Sequence, residues 1–282
     1  MKPNLTKLAQ YPAPVRLGGF LLALLLLWLP VAAPIYLLLN RDPNLVTILT
    51  MGLLFGEFLW LLPWWGKQVY GRSHLLKRYG LQRSRKNGFN LLQGLSIGVL
   101  FTFSLFALEG LLGWVQFQTP QPALPRIILE GFLSALGIGF AEELVFRGWV
   151  LDELQRDYSP KLSLWVDAII FATLHFLKPL SEVIRTLPTF PALVLLGLTL
   201  VWAKRSCQGR LGLSIGLHGG LVWGYYILNV GQLLQYSDKI SPWITGVDHN
   251  PIAGFMGLLF LGILAFWMRM RVRKAYQQSR LG

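Results

Sequence analysis

Residues 127–150 read IILEGFLSALGIGFAEELVFRGWV, a run in which Glu130, Glu142, Glu143 and Arg147 are the only ionisable side chains. About 20 predominantly apolar residues suffice for a helix to cross a bilayer. The run is therefore read as a spanning helix, and it carries three of its four charges close together. A charge near the middle of such a helix costs at least about 2.5–3.5 kcal/mol, which makes intramembrane ionisable groups functional suspects. Glu143 and Arg147 are four residues apart and share a face, so they can pair. Glu142 points about 100° away, toward a different neighbour. A buried salt bridge accounts for Glu143 and Arg147. It leaves the second acid unexplained.

The same apolar character extends over the chain. Of its 282 residues 54% are hydrophobic and 14% charged, against about 25% charged in soluble domains, which excludes an ordinary water-soluble enzyme. Apolar blocks fall at about 17–39, 45–66, 91–115, 127–150, 164–177, 189–203, 211–234 and 251–268. The pattern predicts an all-α, polytopic membrane protein of about eight transmembrane helices, with residues 1–282 forming a single integral membrane domain. The fifth and sixth blocks are short and can extend into Lys178–Pro188. The first block is too long for a signal-peptide core, which predicts a retained helix. A single cysteine, Cys207, excludes disulfide staples and cysteine-based metal clusters.

Lysine and arginine collect in cytoplasmic loops. With eight spans and an inside N-terminus, twenty basic residues fall on the inside segments and five outside, with Arg147 alone inside a block. Both termini are thus expected in the cytoplasm. The net charge of +13 sits between apolar blocks, which points to anionic lipid and membrane orientation, not nucleic acid. Residues 67–90 hold seven basic and no acidic side chains, interleaved with Tyr70, Leu75, Leu76, Tyr79, Leu81 and Phe89. That pattern suits an amphipathic segment on the membrane surface.

Glu57, Glu109 and Glu130 occur singly in apolar surroundings, as expected of carboxyl groups that bond a neighbouring helix or face the interface. Asp167 lies about one turn into its block, where a capping or loop-pairing role is expected. His175 and His218 also lie inside blocks. Counted from the inside loops, Glu142, His175 and His218 are about 9, 12 and 8 residues deep, or roughly 12–18 Å at the helical rise. Orientation from lysine and arginine alone brings the acid and both imidazoles to one level.

These residues carry a resemblance. Glu142-Glu143-Leu144-Val145-Phe146-Arg147 resembles the EExxxR motif, Phe171 to His175 the FxxxH motif, and His218 the third-motif histidine of the CPBP family of intramembrane proteases, which includes CAAX prenyl proteases and proteins linked to bacteriocin processing and self-immunity. The resemblance runs from about Arg126 to Asn229. It implies a catalytic core in which Glu142 activates water as general base, His175 holds the same water, and His218 donates to the developing oxyanion. Glu143, Arg147 and Phe171 would support them, in a cavity open to the cytoplasm, acting on membrane-tethered, lipidated or amphipathic peptides without a cofactor. The chemistry is coherent, because peptide hydrolysis needs an activated water and a donor aimed at the tetrahedral oxygen. One position departs: four residues after the third-motif histidine the family shows Asn or Asp, and here stands Val222. Ser214, one turn before His218, could replace it.

Rival chemistries remain. Zinc could gather Glu142, Glu143, His175 and His218, although no H-E-x-x-H pattern exists. A serine mechanism is suggested by Gly212-Leu213-Ser214-Ile215-Gly216, but the identical pentamer recurs at Gly94–Gly98 and neither copy follows a strand. A proton-coupled transporter would use Glu and His as a relay, yet no inverted repeat is visible. An inactive family member serving as scaffold or immunity protein would keep the motif as a clamp.

Overall fold

The structure, a computed structural model, describes residues 5–237 and 239–281. Lys2, counted above among the inside basic residues, lies outside them, as does the side chain of Arg280. After a short 3-10 helix, Leu5–Gln10, the helices are α1 (Ala13–Leu38), α2 (Pro43–Tyr70), α3 (Leu75–Arg78), α4 (Arg85–Leu111) and α5 (Leu124–Glu143). A π-helical turn, Leu144–Val150, carries α5 into α6 (Leu151–Asp157). There follow α7 (Pro160–Leu174), α8 (Leu180–Thr186), α9 (Phe190–Ser206), α10 (Gly212–Val230), α11 (Pro242–Thr245) and α12 (Phe255–Leu281). Strands β1 (Val115–Phe117) and β2 (Leu234–Tyr236) pair antiparallel, Val115 opposite Tyr236.

Each of the eight apolar blocks is helical over most of its length, the third and seventh ending in β1 and β2. Among the described residues six runs are long and apolar enough to cross a membrane: Ala13–Leu38, Pro43–Tyr70, Arg85–Leu111, Leu124–Asp157, Leu180–Ser206 and Phe255–Gln278. The chain is accordingly a multi-pass helical membrane protein. The sixth block does extend backward, starting at Leu180. The α7 and α10 helices are not among the six: α7 has only 15 residues, and five glycines and a histidine dilute α10.

The chain forms two compact units. The first joins residues 1–78 with 152–158. Phe20 of α1 meets Phe58 and Trp65 of α2 edge to face, with ring centroids 5.7 and 5.3 Å apart. Arg16, at the start of α1, is buried; its Nε donates to Glu153 of α6 at 2.8 Å, and the Tyr70 hydroxyl donates to the same carboxylate. A buried charge survives when it is paired and hydrogen-bonded. The apolar residues of the basic stretch only partly follow the expected surface pattern. Leu75 is buried against Gly66 in the first unit, and Tyr79, in the second, is buried beside Gly148. All seven basic side chains from Lys67 to Lys86 are exposed.

The second unit, residues 79–151 and 159–282, holds the candidate site. Here α10 packs on α4 and α5, and α9 packs on α7 and α12. The repeated pentamer acquires a structural meaning. Gly94 and Gly98 of α4 face Gly216 and Gly220 of α10, and a Cβ on Gly216 would stand 2.0 Å from the Leu91 carbonyl oxygen. Small residues at four-residue spacing let two membrane helices approach to backbone contact. Both copies of the serine-like pattern therefore serve helix packing, and the Ser214 hydroxyl donates to the Leu211 carbonyl of its own helix.

Candidate active site

Four elements meet at the site. The last turn of α5 supplies Glu142 and Glu143, the π-helical turn Arg147, α7 and its C-cap Asp167, Phe171 and His175, and α10 His218. Glu143 and Arg147 are fully buried, and the Arg147 Nη1 donates to Glu143 Oε1 at 3.1 Å. The Nη2 of the same guanidinium donates to the Gly197 carbonyl of α9 at 3.2 Å. Its Nε lies 3.6 Å from Asp167 Oδ2, an ion pair too long for a hydrogen bond. The guanidinium carbon stands 4.2 Å over the Phe171 ring, a geometry in which the ring face attracts the cation. One side chain thereby ties α5, α7 and α9 together.

Asp167 corrects the sequence reading. Ser159 caps α7, accepting from the Leu162 amide. Asp167 stands two turns further in, wholly buried beside Arg147. The residue missed by sequence reasoning was thus a second acid for the arginine. Its spacing held the clue, because Asp167, Phe171 and His175 recur every four residues and line one face of α7.

Glu143 Oε1 also lies 3.1 Å from His218 Nδ1. An ionised carboxylate only accepts, which places the hydrogen on Nδ1. His175 Nδ1 lies 2.8 Å from the Phe171 carbonyl, another pure acceptor, so this ring too carries its hydrogen on Nδ1. Both rings consequently turn Nε2 toward the same atom. Glu142 Oε2 is 3.9 Å from His175 Nε2 and 3.9 Å from His218 Nε2, and it is buried without a direct hydrogen-bond partner. Glu142 and His175 keep about a third of their surface exposed, at 30% and 34%, while His218 keeps 5%.

Of the expected supporting residues, Phe171 is central, lying under Arg147 with its ring 4.6 Å from that of His175. Ser214 is not brought to His218: its hydroxyl is bonded to Leu211, and the partner of His218 is Glu143. Val222 and His218 both line an apolar cavity of about 180 Å³, with Phe101, Leu105, Phe260 and Leu261 among the other walls. Glu130 is engaged by exposed Arg126 at 2.6 Å. Glu109 is buried with neither carboxylate oxygen hydrogen-bonded.

Two ligands about 2.0–2.1 Å from a tetrahedral zinc lie roughly 3.3 Å apart, closer than the 3.9 Å from Glu142 to either imidazole. Among the described residues no group of three His, Cys, Asp or Glu side chains is arranged to hold a metal ion.

A bundle of apolar helices enclosing an acid pair, an arginine and two oriented imidazoles defines a membrane protein with a carboxylate–imidazole centre. Residues 122–224 match the family model described as type II CAAX prenyl endopeptidase Rce1-like. The chain therefore carries an Rce1-like domain, and the resemblance to the CPBP family holds over this stretch, which contains every expected site residue. The matched stretch is similar to a family of CAAX-type proteases and lies in a multi-pass membrane protein. The matched segment leaves α1–α4, α11 and α12 outside it. No curated protein sequence and no solved structure matches the chain.

Proposed function

We propose that this protein is an intramembrane endopeptidase in which Glu142 activates water. The observation that supports the reading best is the convergence of His175 Nε2 and His218 Nε2 on one oxygen of Glu142, each at 3.9 Å. That separation is too long for direct bonds and suits a shared water: an oxygen about 2.8 Å from two of these atoms would see them at roughly 90°. The water gives one hydrogen to Glu142 and is held by His175. Glu142 is the general base, a role that contributes typically 10²–10⁴-fold. His218, braced through Nδ1 by Glu143, directs Nε2 to the oxyanion. Glu143 takes the orienting part that Val222 lacks the chemistry to play.

No residue in this scheme requires a metal, and the reaction is proposed to run without one. The substrate is a membrane-tethered, lipidated or amphipathic peptide, since the cavity beside His218 is walled almost wholly by hydrocarbon. All eight helical blocks are proposed to cross the membrane, because an even number keeps every strongly basic end on one side. Both termini and the mouth of the site then face the cytoplasm, where the exposed basic residues from Lys67 to Lys86 meet anionic lipid at about 1 kcal/mol each.

The test is a comparison of peptide termini in membranes carrying wild type or Glu142→Gln, followed by cleavage of the peptides found with purified protein. Glu142→Gln is expected to lose at least a hundredfold in turnover while remaining inserted and folded, since no ion pair with arginine is broken. Unchanged turnover would remove Glu142 from the chemistry.

A further inference from the structure

In an unbroken α-helix the carbonyl of Arg147 would accept from the amide of Leu151. Here the Leu151 amide donates to the carbonyls of Gly148 and Phe146. The ammonium of Lys204, on α9, donates to the Arg147 carbonyl instead. Lys204 is nearly buried, at 9% exposure, whereas an orienting charge on a cytoplasmic loop has no reason to turn inward. Its neighbour Arg205 shows the contrast, reaching outward to the Pro160 carbonyl. Two turns earlier the same helix presents the Gly197 carbonyl to the Arg147 guanidinium. Arg147 is thus gripped by α9 at both its backbone and its side chain. The grip is possible because α9 lies close to α7: a Cβ on Gly197 would stand 2.8 Å from the Cα of Ala168.

A π-turn holds one residue more than an α-turn. Rewinding it to α geometry would rotate the chain beyond it by about 100°, and Arg147 would shift relative to Glu143, which Arg147 and His218 share. We propose that Lys204 is a positioning residue for the Glu142–Glu143 pair: by capping the Arg147 carbonyl it holds the π-helical turn in the register that aims Glu143 at His218 and Glu142 at both imidazoles. Asp167 completes the brace from α7, its carboxylate 3.6 Å from the Arg147 Nε. The kinetic consequence rests on the peptidase reading. The geometric one does not.

The experiment uses the full chain in lipid nanodiscs with ¹⁵N-labelled histidine, His218 being assigned by its loss in His218→Gln. Lys204→Met, which keeps the length and removes the donor, is expected to change the His218 Nδ1–H signal. It should also lower kcat by about a hundredfold, the cost of a misplacement of roughly 1 Å, with KM within about twofold. Lys204→Arg, which keeps a charged donor, should restore both readouts. A folded Lys204→Met with wild-type ring signals and kcat overturns the proposal, even if its thermal stability falls. Should Lys204→Met fail to accumulate, Lys204→Gln, whose amide ends one atom short of the ammonium and so weakens the contact with the Arg147 carbonyl, is measured in its place: a changed His218 signal with lowered kcat supports the proposal, and wild-type values of both overturn it. If the wild type cleaves no peptide but the His218 signal still responds to Lys204→Met, positioning stands and the peptidase reading alone falls.

Discussion

Replacing Arg147 by alanine removes the cation that three buried groups share. Glu143 and Asp167 are both wholly inaccessible, and breaking a buried pair by deleting one partner costs about 3–5 kcal/mol because the remaining charge is left uncompensated. The Gly197 carbonyl loses its guanidinium donor as well, which adds about 1–3 kcal/mol if no water replaces it. A loss of at least about 4 kcal/mol is a large part of the roughly 5–15 kcal/mol that holds a folded protein together. At about 2 °C per kcal/mol for a chain of this size, the melting temperature should fall by about 8 °C or more. Arg147→Lys keeps the charge but reaches with one ammonium where the guanidinium used separate nitrogens, so it should recover only part of the loss. The assay is abundance in the membrane fraction, with melting followed by size-exclusion chromatography in detergent. Glu142→Gln is the control, since its side chain is 30% exposed and breaks no arginine pair. An Arg147→Ala protein with wild-type abundance and a melting temperature within about 2 °C of wild type would refute the clamp.

Three further outcomes are expected. Glu142→Gln should abolish cleavage of peptides that the wild type processes, with its melting temperature within about 2 °C of wild type, as read by the same chromatographic assay. Incubation with a strong chelator of divalent metals should leave turnover unchanged; a loss restored by added zinc would refute a metal-free water activation. Cysteines placed singly at exposed Arg83 and Trp243, with buried Cys207 replaced by serine, should report opposite sides of the membrane. A maleimide that cannot cross the bilayer should label position 243 and spare position 83 in intact cells, and labelling of both from outside would break the proposed orientation.

Much of the architecture was legible in the chain because a bilayer imposes simple demands. An apolar block needs little more than length and the absence of charge to be read as a helix, and each of the eight became one. The candidate site stood out for the same reason, since Glu142, Glu143, Arg147, His175 and His218 are costly in apolar blocks and so are conspicuous. Less visible were roles that depend on which faces meet. Asp167 looked like a helix-end residue and became a second partner for Arg147. Ser214 looked like a substitute for a missing donor, yet its hydroxyl was satisfied within its own helix while Glu143 oriented His218.

By itself the sequence determined that the chain is helical and membrane-bound and that an acid pair and an arginine share one helix. Burial costs follow residue type and periodicity, which are properties of a single segment. Only the tertiary structure decided that both imidazoles turn Nε2 to Glu142, that the twin glycine pentamers pack α4 on α10, and that Lys204 reaches the backbone of Arg147. Those facts depend on the rotation of each helix about its axis and on a π-helical turn inside one of them. Rotation and register are set by the packing of helices far apart in the chain, and no single stretch of sequence carries that information.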